Sequence, residues 1–503
     1  MKLKKYLYTL VVLCTMGAFT GCSDWLDYTP KDKETEDQTF SSKQGFYTAV
    51  NGVYNRIADD VLYGQNLTYG MLDIMGRRYQ IPSGLYYTIG SQRFYASLIS
   101  GFSYSDENFQ AVIENVWEET YSTILNINVI LDNADQKRGT LLTESDYNLI
   151  RGDMLGLRAF LHFDMLRLFG PVYSRNPEQL CIAYNDSRTA QVYEQETARS
   201  IIYDHLIPDL DAAEECLAEH DPVITEGPLA STIEDEDNYM RYRQLRMNYY
   251  AVILLKARVY LWAGDTANAL AEAQRLTDDP QVGAWFPFVD SDRLLGNTVD
   301  PDRTFSTECL FGFYDSGRNN IYTSFFDGAN LTASALYQPR NGYVSSLYNN
   351  TADYRYRSQW TISGSSNSLV KFNEIEVSEE EEENNTYPFY TYFMPLMHLS
   401  EAYYIAAECL RTTDIAKARS YMDTIMAARG RQALASDISE ADLLTEIKLE
   451  YMREMAGEGQ VFYMLKRFFQ AFSGNYDASQ TGSTSASDAR YVVPLPESEL
   501  INR

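Results

Sequence analysis

The stretch that decides the fold reads Met247-Asn248-Tyr249-Tyr250-Ala251, then Ala257-Arg258-Val259-Tyr260-Leu261-Trp262-Ala263-Gly264-Asp265, and continues with Ala269, Ala273 and Pro280. Small residues at fixed spacing let two helices approach closely, and Gly264-Asp265 makes the turn between them short. Residues Glu401-Ala402-Tyr403-Tyr404-Ile405-Ala406-Ala407-Glu408, followed by Ala416, Ala418 and Tyr421, repeat the design. Both read as helix-turn-helix units packed in a degenerate tetratricopeptide style. The regularity is too weak to predict an open solenoid.

Upstream, Trp117, Tyr121, Ile124, Asn128 and Leu131 recur at helical spacing, giving one apolar stripe interrupted by a single amide. Leu155, Ala159, His162, Leu166 and Phe169 form another, stopped by Gly170-Pro171. His162 on that face is read as a satisfied core histidine rather than a ligand, and Trp117 and Trp262 as core. Trp285 and Trp360 flank expected strands, which favours core for them too. Residues 281–393 change character: Gly, Asn, Ser and Asp cluster between short apolar runs such as Cys309-Leu310-Phe311-Gly312-Phe313-Tyr314. That composition predicts loops with a few short strands, and residues 63–109 resemble it. The fold class is therefore predominantly α, a helical scaffold with a loop-rich region containing short strands.

The composition of the 503-residue chain excludes several functions. Its 70 acids against 42 Lys and Arg give a net charge of −28, which repels a phosphate backbone and excludes nucleic acid as a partner. Four scattered histidines (His162, His205, His220, His398) are poor material for a histidine metal site or a Ser-His-Asp triad. The phosphate-loop, dinucleotide, zincin and nucleophile-elbow motifs are all absent. Acidic runs at Glu234 to Asp237 and Glu379 to Glu383 read as solvated surface. Carboxylates at Glu374, Glu376 and Glu379 to Glu383 suit calcium as a ligand type, but without EF-hand spacing a solvated loop is favoured, so no cofactor or metal is assigned. Nothing in these residues argues for an enzyme. The unusual feature is 40 Tyr beside 23 Phe, because a core can use Phe, whereas many Tyr suggest rings with one face at a wet surface.

Lys2, Lys4 and Lys5 precede an apolar run from Tyr6 to Phe19, and Phe19-Thr20-Gly21-Cys22 resembles a bacterial lipoprotein cleavage box. The run is shorter than the roughly 20 residues that span a bilayer. Residues 1–21 are thus read as a signal peptide, Cys22 as the lipidated residue and residues 22–40 as a lipidated tether attaching the protein to a membrane. Cys181, Cys216, Cys309 and Cys409 form no C-x-x-C and read as buried free thiols.

Several segments together resemble the SusD/RagB-like outer-membrane lipoproteins that capture nutrients. Ser23-Asp24-Trp25-Leu26-Asp27 with Pro30 is similar to the family's opening, and Trp117-x3-Tyr121-x2-Ile124-x3-Asn128 to its first helix. Leu157-Arg158-Ala159-Phe160-Leu161-His162-Phe163 through Gly170 resembles its arginine-alanine-aromatic helix. Pro395 to Tyr403 resembles the opening of its last repeat, Glu454-x3-Glu458-Gly459 its glutamate-glycine motif, and Val493-Pro494-Leu495-Pro496 with Glu499 and Leu500 its C-terminal signature. His398 and Val461 stand where the family usually has Arg, and Met464 where it has Asp, changes that bear on internal ion pairs.

The resemblance implies four tetratricopeptide-like helix pairs in a compact scaffold: residues 41–280 with ligand loops at 63–109, a loop-rich insertion at 281–393, and a C-terminal repeat and signature at 394–503. It implies a non-catalytic cell-surface protein, anchored to the outer membrane at Cys22, that captures an oligosaccharide, or in some members a peptide, as a lid on a SusC-like TonB-dependent barrel. Sugar rings pack their C–H faces on aromatic rings and bond their hydroxyls to polar edges. Two windows have that composition and lie where the family places ligand loops: Tyr69, Asp73, Arg77, Arg78, Tyr79, Tyr86 and Tyr87, and Asn319, Asn320, Tyr322, Phe325, Phe326, Tyr337, Arg340, Asn341 and Tyr343. Tyr79, Tyr86, Tyr322 and Tyr337 are the expected platforms, with Asp73, Arg77, Arg340 and Asn341 as polar contacts. A different class, a tetratricopeptide scaffold that binds other proteins through an exposed groove, is the competing reading.

Overall fold

The computed structural model describes residues 31–82, 84–189, 192–231, 238–296, 300–332, 334–364, 366–383, 388–472 and 484–501. The expected signal peptide, Cys22 and the Glu234 to Asp237 run lie outside the described residues. Contacts divide the chain into residues 1–49 and 50–503. In the first unit, α1 (Lys31–Thr39) makes the described part of the expected tether helical, and the Phe40 and Phe46 rings lie 4.8 Å apart. Helix α2 (Lys43–Ile57) begins in this unit.

The second unit is predominantly helical. Its long helices are α3 (Glu107–Lys137), α4 (Glu144–Phe169), α5 (Ile207–Leu217), α6 (Tyr249–Trp262), α7 (Thr266–Thr277), α8 (Leu399–Leu410), α9 (Ile415–Ala428), α10 (Glu440–Glu454) and α11 (Gln460–Arg467). Helix α4 packs on α3 and α5, while α6, α7, α8 and α9 pack in succession. The two repeats explain that succession. Gly264, at φ +76°, makes the turn after α6, and the Asp265 side chain then accepts the Asn268 N–H to cap α7. Asp414 caps α9 the same way through Lys417. Of the alanines quoted for these units, Ala251, Ala257, Ala269, Ala273, Ala402, Ala406, Ala407 and Ala418 are fully buried, whereas Ala263 is half-buried and Ala416 is exposed. Among the described residues, no helix is long and apolar enough to cross a membrane.

Asn128, the amide in the α3 stripe, is a buried connector. Its Oδ1 accepts from Arg158 Nη1 at 2.8 Å, and its Nδ2 donates to the carbonyls of Asn185 and Ser187. Arg158 also grips Asp209 with two bonds of 2.7 Å, joining α3, α4 and α5. His162 is a satisfied core histidine: its Nε2 accepts from Asn185 N–H at 2.9 Å, and its Nδ1 lies 3.0 Å from the Arg158 carbonyl, which it can only reach as a donor. Burial pushes its pKa down to about 3, in keeping with this neutral tautomer. Trp117, Trp262 and Trp360 are buried, whereas Trp285 is half-buried. Cys181, Cys309 and Cys409 are buried free thiols, and Cys216 is a half-buried one.

The loop-rich segment is tied to the helices in two ways. One is a strand pair: β3 (Cys309–Tyr314) runs antiparallel to β6 (Phe393–His398), with an irregular register near Phe311. The smaller hairpins are β1 (Tyr86–Ile89) with β2 (Gln92–Tyr95), and β4 (Trp360–Ser363) with β5 (Ser366–Leu369). The other tie is a buried ionic network. Arg355 in the loop segment bonds Asp353 at 2.8 Å, Glu450 at 2.7 Å and Glu454 at 2.7 Å, and all four side chains are fully buried. Arg429, after α9, bridges Glu454 to Glu308, which precedes β3. Burial alone would raise the Glu454 pKa, but the Arg429 and Arg355 guanidinium groups outweigh it and hold the carboxyl well below the usual range.

His398, standing where the family resemblance leads one to expect Arg, preserves an ion pair. Its Nε2 is 2.9 Å from Glu458 Oε1, and Lys371 contacts the same carboxylate. Val461 is fully buried and Met464 nearly so, which makes apolar packing of those two departures.

The network predicts its own fragility. Glu454→Gln leaves two buried arginines short of a counter-charge, so it costs about 3–5 kcal/mol in denaturant unfolding. The Glu454, Asp353 and Glu458 carboxyls are all depressed in the folded state. Their stabilisation is therefore present above the unfolded carboxylate pKa near 4 and is lost as pH falls below it. A thermal melt series from pH 7 to 3 should show a steep acid limb that is shallower in Glu454→Gln.

Candidate functional site

The two sequence windows meet. A cleft of about 500 Å³ opens between residues 60–88 and residues 320–335, lined by Asp60, Gln65, Tyr69, Gly84, Tyr86, Tyr87, Thr88, Asn320, Ile321, Ser324, Phe325, Ser334 and Ala335. That volume falls within the roughly 300–1,000 Å³ usual for small-ligand clefts.

One wall is the β1–β2 hairpin. Strand alternation turns Tyr87 and Phe94 inward, paired across the ladder, and leaves Tyr86 and Tyr95 41% and 38% exposed. The Arg93 guanidinium lies 4.6 Å from the Tyr86 ring centroid, and the Tyr95 ring meets Tyr86 edge-on, so both fix the orientation of the exposed ring. Tyr87 donates to Asn66 Oδ1 at 2.8 Å and anchors the hairpin to the 60–70 turns.

The floor is an aromatic cluster. Tyr69 lies 5.5 Å from Phe325, 5.8 Å from Phe326 and 6.1 Å from Phe372, centroid to centroid. Tyr79 and Tyr337 stand 5.0 Å apart, and Tyr337 lies 5.1 Å from Phe325. The polar groups beside the cluster are poorly satisfied. Gln65 is buried with its Nε2 unbonded. The Tyr69 pKa is raised well above 10 by burial first, then by the charges of Asp60 and Asp315. Burial also raises Asp60, and Asp59 and Asp315 add to the rise. Asp315 itself is raised by burial, partly offset by the Gly317 N–H. The cleft thus pairs aromatic faces with acceptors and an idle amide donor, a combination that suits a polyhydroxylated ligand.

Of the eight residues expected to bind ligand, only Tyr86 lines the cleft. Tyr79 and Tyr337 are corrections: both are buried in the aromatic cluster, without the open face that a platform needs. Asp73 is also buried and works inside the scaffold. It accepts from the Tyr79 hydroxyl at 3.1 Å and from the Gly459 N–H. Burial pushes its pKa up to about 7 against the opposing pull of Arg78 and Tyr79. Gly459 is required here. It adopts φ +73°, and a Cβ there would come within 2.7 Å of the Leu67 carbonyl oxygen. The glutamate-glycine motif therefore sits under the ligand loop.

Arg77 is half-buried with its guanidinium 5.2 Å from the Phe102 ring, Tyr322 is half-buried beside the cleft's second wall, and Arg340 and Asn341 are exposed outside it. Tyr69, Tyr87, Asn320 and Phe325 lie within the quoted windows and line the cleft, although they are not among the eight expected contacts. Asp60, Gln65, Thr88, Ser324 and Ser334 carry no local sequence signal. Period-2 alternation at Tyr86-Tyr87 does announce that one of those two rings faces out.

A family model described as starch-binding and associating with the outer membrane matches residues 24–225, and the SusD family model matches residues 313–494. The chain belongs to the SusD/RagB family. No curated protein sequence matches. Among solved structures, a SusD superfamily protein from Bacteroides thetaiotaomicron superposes with a TM-score of 0.68 at 20% identity, covering 92% of this chain and 98% of that one. A SusD-like carbohydrate binding protein from Bacteroides vulgatus gives 0.66 at 18% identity, covering 92% and 96%. At those identities the likeness establishes the fold, the predominantly α SusD architecture, and not the ligand. Among the described residues no cluster of His, Cys, Asp and Glu is placed to hold a metal ion, and the Glu379–Glu383 run forms a short helix.

The buried tyrosines and Asp73 make separable predictions. Tyr337→Ala costs about 3–5 kcal/mol of stability, whereas Tyr337→Phe, which removes a buried hydroxyl without a partner, is neutral or stabilising in urea unfolding. Because the Asp73 pKa is raised on folding, the protein loses stability as pH rises from about 4 through about 7. Asp73→Asn removes that loss, and its free energy of unfolding should gain on the wild type across this interval by about 4 kcal/mol, read from urea unfolding at pH 4 and pH 8.

Proposed function

We propose that this SusD-family protein is a non-catalytic, surface-exposed lipoprotein that captures an oligosaccharide in the cleft between the two loop walls and delivers it to a SusC-like TonB-dependent barrel. Family membership supports glycan binding in nutrient uptake and association with the outer membrane. The observation that carries the reading to particular residues is the exposed Tyr86 ring, oriented by Arg93 and Tyr95 at the rim of a cleft with an aromatic floor and the unbonded Gln65 amide. A sugar ring stacks its C–H face on Tyr86 or Phe325, while Asp60, Gln65 and Asn320 meet its equatorial hydroxyls. Tyr offers contact area with few rotamers to freeze, which keeps the entropic cost of binding low.

Capture needs no chemistry, and the sequence carries no phosphate-loop, dinucleotide, zincin or nucleophile-elbow motif. In this reading Cys22 bears the lipid anchor and holds the cleft at the cell surface. A peptide ligand is the second reading, favoured by the buried Gln65 amide, whose free N–H matches a backbone carbonyl as well as a hydroxyl.

Calorimetry of the lipid-free protein against a glycan and peptide library tests the assignment. An oligosaccharide should bind without release of reducing ends, and Tyr86→Ala should weaken it tenfold or more while leaving the melting temperature unchanged. Reducing-end release would sink the non-catalytic reading, and selective peptide binding would move the function to the second one. Detergent extraction of the native membrane should recover a large barrel protein with the chain, and its absence would remove the delivery role.

A further inference from the structure

The helical part of the fold contains a second cavity, about 40 Å³, bounded by α4, α6, α8, α10 and α11. Its lining is cationic in a protein where acids outnumber bases 70 to 42. Arg167, Arg258, Lys448 and Arg467 all face it. Three of these have their own carboxylates: Arg167 bonds Asp164, Arg258 bonds Glu401 at 2.5 Å, and Arg467 bonds Glu408 at 2.6 Å. Lys448 has no ion pair among the described residues. Its ammonium sits 4.0 Å from the Phe468 ring centroid, and burial lowers its pKa.

The hydrogen-bonding groups here are surplus donors. Arg258 is buried and spends Nε and Nη2 on Glu401, yet its Nη1 has no partner. The Tyr463 hydroxyl is likewise buried and unbonded, while its ring is held 3.9 Å from the Arg167 guanidinium. Tyr451 lines the same space and its hydroxyl has no hydrogen bond to any described residue, and Tyr404, whose buried hydroxyl is also unbonded, lines it too. An unpaired guanidinium N–H in the interior is costly and has no way to become an acceptor. A water molecule there would have to place its two protons on the tyrosine hydroxyl oxygens or on a second lone pair of the Glu401 and Glu408 oxygens, each of which already accepts from an arginine. An anion accepts from every donor present, and its charge offsets the unpaired Lys448.

We propose that this cavity is a binding site for one small monovalent anion of chloride or bromide size, held by Arg258 Nη1 and the Tyr463 and Tyr451 hydroxyls, with Lys448 supplying the unmatched positive charge. The site lies among the repeats, apart from the loop cleft, and does not depend on the glycan reading. Bound there, the anion cross-links α6, α10 and α11.

Crystals of the purified protein grown in sodium bromide test this directly. An anomalous peak within hydrogen-bonding distance of Arg258 Nη1 is the expected result. Water only at that position, or bromide confined to the surface, overturns the proposal. In solution at constant ionic strength, 100 mM bromide should raise the melting temperature by about 1–2 °C over a bulky organic anion. Tyr463→Phe keeps the ring on Arg167, and Lys448→Met keeps the aliphatic stem, so both variants should fold. Each should reduce the bromide-dependent rise at least twofold, and a rise unchanged in both variants also overturns the site.

Discussion

The buried salt-bridge network centred on Arg355, Arg429 and Glu454 is the constraint on which the rest of this structure depends. It joins Glu308, ahead of β3, to Asp353 and Arg355 in the loop segment, to Arg429 after α9, and to Glu450 and Glu454 on α10. Desolvating so many charges is unfavourable, and the attraction among them offsets that cost only when each partner is in place. The network therefore contributes less as net stability than as a demand for one arrangement: the loop-rich segment can dock on the helices in only one register. The Cys309–Tyr314 strand beside Phe393–His398 enforces the same register from the other side.

That docking builds the cleft. One wall comes from residues near 60–88 and the other from residues near 320–335, more than two hundred positions later in the chain. The shared floor of Tyr69, Phe325, Phe326, Tyr337 and Phe372 buries rings from both segments in one cluster, so the geometry of the cleft follows from core packing rather than from loop conformation. The glutamate-glycine turn completes the link. Glu458 is held by His398 and Lys371, and the next residue, Gly459, reaches the Asp73 carboxylate under the first wall. Scaffold and site share one set of buried polar contacts.

Much of this was legible beforehand, and the reasons are local. The Gly264-Asp265 turn, the alanine spacing and the α3 and α4 stripes are short-range patterns that backbone geometry turns into helices and caps with little outside help. Asn128 and His162 could be placed on buried faces by periodicity, although their partners, Arg158 and Asn185, could not be named. The site was harder. Composition marks both windows as loops rich in Tyr and Asn, and both contribute residues to the cleft, but seven of the eight expected contacts do not line it. Tyr79 and Tyr86 look alike in sequence, and only one has an open face.

The sequence by itself determined the helical repeats, the turns between them, the net acidic charge, and the two segments that line the cleft. Each of these depends on periodicity, capping or net charge, which act over a few residues or over the whole chain at once. Only the tertiary structure decided which tyrosines face solvent, that Asp73 is an internal acceptor, and that Asp60 and Gln65 border the cleft. Those outcomes depend on which distant side chains cover which faces. Burial is a property of the packed assembly of segments, and no residue carries it alone.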